Sequence, residues 1–158
     1  MNKKIFELIK NGKVKKEIPF DFSGTSYVAN GDYINSRTHT AACVGFACYN
    51  SWNIHSDVYM TICFPQPLGG PITLRVEFNG LIHGYLNNSR IVLYYTDNTT
   101  ETLSLGTVNL NYNRNVTSTQ KHKQISCFNY FCTYFTGAGG QSSNAGVNIY
   151  PVTQTVWK

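Results

Sequence analysis

Residues 72–78, Ile72-Thr73-Leu74-Arg75-Val76-Glu77-Phe78, alternate apolar and polar side chains without a break. An extended strand points successive side chains to opposite faces, so this run has one buried face and one wet face carrying an Arg75–Glu77 pair. The same period appears upstream, where Val58, Met60, Ile62 and Phe64 alternate with Asp57, Tyr59 and Thr61. Downstream, residues 90–95 and 100–105 flank Thr96-Asp97-Asn98-Thr99, whose Asp and Asn suit the tight turn of a hairpin. Further strands are predicted at 26–34, 40–49, 107–113, 124–135 and 146–156, and no helix-period segment follows residue 12. The expected fold is an all-β, antiparallel β-sandwich or jelly roll of about nine strands.

Two departures from the alternation carry information. Leu103 and Leu105 are odd-numbered whereas Val108, Leu110 and Tyr112 are even, so the inward face changes parity across Gly106, as at a bulge or a corner between sheets. Thr136–Gly146 reads as a long flexible loop and Phe64–Pro71 as a rigid one punctuated by proline. Before the sandwich, Ile5, Phe6, Leu8 and Ile9 cluster on one side of a two-turn helix closed by Asn11-Gly12. So short a helix needs a surface to lie on. Lys13–Phe22 is expected to be an extended linker. The expected division is residues 1–22 as a basic arm, helical or extended, with its linker, and 23–158 as the sandwich.

Charge sharpens this division. The chain has 158 residues and a formal charge of +5, yet only 13% of its residues are charged. Residues 1–17 hold six lysines against two glutamates, and the rest holds seven basic against six acidic residues. A nearly neutral body argues against nucleic acid as its partner, because groove-binding proteins spread Arg and Lys over one folded face. No stretch has the roughly 20 apolar residues of a spanning helix, so no membrane insertion is expected. Nor does the start have the apolar core of a signal peptide, so synthesis in a cytoplasm is expected.

Few residues are arranged for chemistry. Cys43 and Cys48 share a spacing with Cys127 and Cys132, but strand residues five apart face opposite ways, so neither pair closes on itself. Buried unpaired thiols are the preferred reading, ahead of a disulfide across strands and of a metal site. His55-Ser56-Asp57 holds the residue types of a hydrolase triad, yet strand neighbours cannot converge. No phosphate-binding loop is present, and no catalytic residue, metal or cofactor is expected. Aromatic residues make up 14% of the chain. Tyr49, Trp52, Tyr85, Tyr112, Tyr134 and Trp157 lie near loops or strand ends, where rings either cap the core or meet a sugar or another subunit.

A short basic arm on an Asn-, Thr- and Tyr-rich β body of low charge resembles small bacteriophage virion proteins, of the capsid decoration, head-fibre or receptor-binding tip type. The resemblance covers the whole chain and rests on no single motif. It implies a virion structural protein that assembles as a homotrimer and attaches to capsid or tail proteins through the arm (Lys3, Lys4, Ile5, Phe6, Leu8, Ile9, Lys10, Lys13, Lys15 and Lys16). A host surface glycan is an additional partner under this reading. The alternative is a carbohydrate-binding β-sandwich with no virion role.

Overall fold

A computed structural model describes residues 14–50, 54–137 and 142–157. The expected helix at 3–10 and the arm residues Lys3 to Lys13 lie outside that description, as does Trp52. The described residues form two antiparallel sheets. In chain order the strands are β1 (Lys15–Ile18), β2 (Ser26–Asn30), β3 (Ile34–His39), β4 (Val44–Asn50), β5 (His55–Gly69) and β6 (Thr73–Ile82). They continue as β7 (Gly84–Tyr95), β8 (Thr100–Val108), β9 (Tyr112–Thr117), β10 (Gln124–Thr136) and β11 (Ser143–Trp157).

The first sheet has the order β3-β4-β11-β6-β9, with β1 added against the C-terminal portion of β11. The second has the order β2-β5-β10-β7-β8. The chain repeatedly passes from one sheet to the other, as in a jelly roll. The decisive alternation behaves as read: Ile72, Leu74, Val76 and Phe78 are buried, while Arg75 meets Glu77 at 3.4 Å on the outer side. Facing them across the core are Val58, Met60 and Ile62 of β5 and Phe128, Tyr130, Cys132 and Tyr134 of β10. Each such side chain contributes about 1.5–3 kcal/mol by leaving water.

Several boundaries differ from expectation, each for a local reason. Lys15–Ile18 is a strand, its residues registered against Trp157 to Gln154, so a piece of the linker is sheet. Residues 40–49 do not form one strand, because Thr40 caps a turn by accepting from the amides of Ala42 and Cys43. The proline-rich stretch extends β5 to Gly69, since its prolines lie beyond the end of β2, where no partner on that side needs their missing N–H. The stretch 136–146 is partly strand, since β10 runs to Thr136 and β11 begins at Ser143. Residues 107–113 are the crossing between sheets: β8 pairs with β7, whereas β9 pairs with β6. Gly106, at φ 74°, makes the parity change, and Val108 is buried as read. Leu110 is not inward, being 70% exposed in the crossing itself, whereas Tyr112 takes the inner side as read, opposite Phe78 on the edge strand, where it stays 38% exposed.

The cysteines divide into two kinds. Cys48 and Cys132 are buried and unpaired, and Cys43 is half-buried and free. Burial pushes the Cys48 thiol up to about 12 and that of Cys132 higher still, so neither is a nucleophile. Cys127, by contrast, is bonded to Cys63, correcting the expectation that it is a free thiol. The register sets the two directly opposite, with Cα atoms 4.1 Å apart. Neither spacing pattern contained this pair, because its members are 64 residues apart.

Candidate functional site

The outer face of the second sheet carries an ordered array of rings and polar groups. Its middle strand, β10, sends Phe131, Thr133 and Phe135 outward between inward Tyr130, Cys132 and Tyr134. Register with β5 places Tyr59, Asp57 and His55 beside them in turn. Register with β7 places Arg90, Asn87 and Tyr85 on the other side. Three strands thus present three rows: Tyr59-Phe131-Arg90, Asp57-Thr133-Asn87 and His55-Phe135-Tyr85. Rows two residues apart are about 7 Å from one another.

A bulge makes this array possible. On β10 the step from Phe131 to Thr133 is two residues, but on β7 the matching step from Arg90 to Asn87 is three. Asn88 takes up the extra residue at φ 52°, and Ser89 turns into the core, where its hydroxyl meets that of Tyr130 at 2.8 Å and donates to the Leu86 carbonyl. Arg90 then lies over the Phe131 ring, its guanidinium carbon 4.2 Å from the ring centre, a contact in which the ring face attracts the cation. Asn30 donates to the Tyr59 hydroxyl at 2.9 Å, and Thr133 donates to Asp57 at 2.9 Å. Phe135 meets His55 with ring centres 4.6 Å apart and Tyr85 at 5.5 Å. The side chains of the array are therefore positioned by contacts with one another.

Of the described aromatic residues singled out from the sequence, only Tyr85 belongs to this array. Tyr134 does not face outward: it is fully buried and its hydroxyl bonds to Ser143, so it caps the core. Tyr49 is exposed on the opposite sheet. Tyr112 packs on Phe78 with ring centres 5.1 Å apart, and Trp157 stacks on His122 at 4.8 Å. Tyr59, Phe131, Arg90, Asp57 and His55 were not recognised together. Alternation marks Asp57 and Tyr59 as outward, but pairing with Phe131 and Arg90 is a matter of register. Ser56 points into the core, so His55 and Asp57 share a face that Ser56 does not. No group of three metal-ligating side chains occurs among the described residues.

A second concavity lies at the end of the sandwich where β5, β10 and β11 meet. It is a cavity of about 500 Å³ whose lining includes Gly70, Asp97, His122, Lys123, Gln154 and Trp157. Gly69 permits it to form: a Cβ there would stand 1.9 Å from the Thr155 carbonyl oxygen, so only glycine lets the end of β5 approach β11. The Asp97 carboxylate accepts from the Thr99 hydroxyl and amide and pairs with Lys123 at 3.0 Å. These contacts hold its pKa down at about 2. A carboxylate with a depressed pKa stabilises the fold above its ordinary value and loses that contribution as it becomes protonated. Stability is therefore expected to fall as pH drops from 3.8 towards 2, and less so in Asp97→Asn, as read from melting temperature against pH.

The architecture and its surfaces define a two-sheet β-sandwich with a ring-and-polar outer face. No family model matches the chain, and no curated protein matches it in sequence. Among solved structures, it is similar to a family 29 carbohydrate-binding module, in a mutant form complexed with mannohexaose, at 7% identity and TM-score 0.46, covering 90% of this chain and 92% of that one. It is also similar to an agarase at 9% identity and TM-score 0.48, covering 87% of this chain but only 24% of the agarase. The expectation of a bacteriophage virion protein attached through its N-terminal arm does not stand. The arm that was to make the attachment is, over Lys15–Ile18, a strand of the chain's own sheet.

Proposed function

We propose that this domain binds carbohydrate on the outer face of its second sheet, through the three rows centred on Phe131, Thr133 and Phe135. The observation that carries this reading is the alternation of ring and polar rows. A pyranose has an apolar face that packs on an aromatic ring and an equatorial rim of hydroxyls that needs planar polar partners. Tyr59 and Phe135 supply the first, and Asp57, Asn87, Arg90 and Asn30 the second. Pre-positioning by neighbouring contacts reduces the side-chain entropy lost on binding. The face extends about 13 Å along the strands, which favours an oligosaccharide over a single sugar. The activity is binding without cleavage, since the face offers one carboxylate, Asp57, where glycoside hydrolysis uses a pair. The Cys63–Cys127 bond supports a working place outside a reducing cytoplasm.

Calorimetric titration with mannohexaose and a panel of other neutral oligosaccharides tests the reading. At least one should bind, and Tyr59→Ala and Phe135→Ala should each weaken it about tenfold, as truncation of a central ring in a binding surface does. Both side chains point away from the core, so the variants should keep the wild-type melting profile. Equal affinity of wild type and both variants for every sugar bound would remove this face as the site.

A further inference from the structure

The sequence puts most of its lysines in one N-terminal run, and the fold gives the described ones a definite place. The four described lysines, Lys15, Lys16, Lys121 and Lys123, all lie at the Trp157 end of the sandwich: β1 runs beside the end of β11, and residues 121–123 lead into β10. Lys123 lines the cavity of about 500 Å³. Lys15 and Lys121 line an adjoining one of about 230 Å³, and the two cavities share Gly70, Thr155 and Trp157. Among the described residues, Asp97 is the only carboxylate lining either cavity, and it is already paired with Lys123. Lys15 has a long contact with Glu17 at 3.9 Å, and Lys121 makes no salt bridge among the described residues.

We infer that this cleft is a second binding site, distinct from the sheet face, that takes an anionic sugar unit carrying a carboxylate or sulfate group. The indole of Trp157, held by its stack on His122, forms the apolar wall against which a pyranose ring lies. The ammonium groups of Lys15 and Lys121 meet the acid group, and a concave, low-dielectric wall concentrates their field. Gln154 uses its side-chain oxygen to accept from the Gly69 amide, which turns its NH2 donors towards other partners. The donor-rich lining is what selects an anion over a neutral sugar.

The test is calorimetric titration of the whole chain with a trigalacturonate, a sulfated trisaccharide, a neutral trisaccharide and sodium sulfate, each at low and raised salt. Binding of either anionic sugar, weakened by salt, is expected, and whichever binds identifies the acid group. The Lys15→Gln/Lys121→Gln double variant should lose about tenfold in that affinity, the combined effect of two exposed charges. Both side chains are solvent-exposed, so the variant should fold, and its binding of neutral sugars on the sheet face should not change. Three results would overturn the inference: no binding of either anionic sugar, an unchanged affinity in the double variant, or sodium sulfate binding as tightly as the sugars. Binding of anionic sugars with no effect of Tyr59→Ala on any ligand would instead leave the cleft standing and remove the sheet face.

Discussion

Tyr130→Ala should lower the unfolding free energy by about 3–5 kcal/mol, the cost of emptying a large core site that cannot collapse. Tyr130 is fully buried at the middle of β10, and its ring meets Phe46 at 5.8 Å and Phe78 at 6.5 Å across the core. It therefore bridges the two sheets. Its hydroxyl also meets Ser89, the residue turned inward by the β7 bulge. Tyr130→Phe removes that bond and the hydroxyl's contact with the Cys132 thiol while keeping the ring, and because Ser89 keeps its bond to Leu86, the cost should be about 1 kcal/mol. Urea denaturation separates the two, with the alanine variant showing a much lower midpoint at unchanged slope and a melting temperature roughly 10 °C lower. A loss below about 1 kcal/mol for Tyr130→Ala would mean that this ring does not join the sheets.

Opening the Cys63–Cys127 bond should cost about 4 kcal/mol, the chain entropy returned to the unfolded state when a cross-link spanning 64 residues is removed. The closed segment holds β6 to β9, and thus strands of both sheets. The native state should change little, because the rest of the β5–β10 register continues without it from Phe128 to Phe135. Denaturation with and without a reductant, beside Cys63→Ser/Cys127→Ser, measures the difference. The reduced wild type and the double variant should coincide, while Cys132→Ser, which alters a buried thiol outside the bond, should not become insensitive to reductant. A wild type indifferent to reductant would show that the bond adds nothing to stability.

The two surfaces proposed for binding stand differently towards the sequence. Alternation in β5 identifies Asp57 and Tyr59 as outward, and hydrophobic runs place β10, but a strand does not state which residue it will face. The register of β10 against β5 and β7, with the bulge at Asn88, sets Tyr59, Phe131 and Arg90 in one row. Tyr134 shows the converse: its place near a loop leaves open whether it caps the core or meets a ligand, and the fold turns it inward onto Ser143.

By itself the sequence determined the class of fold and much of its inner face, because period-two alternation is a property of adjacent residues and survives whatever the strands pair with. It also marked Gly106 as a change of parity and 96–99 as a hairpin turn, both of them local events. Tertiary structure alone decided what depends on distant partners: the Cys63–Cys127 bond, the rows on the outer sheet, and the meeting of Lys15 with Lys121 at one cleft. The lysine run read as an arm separate from a neutral body; β1, added beside β11, turns Lys15–Ile18 into a wall of that body. The physical reason is that backbone pairing across many residues brings side chains together without regard to their spacing along the chain.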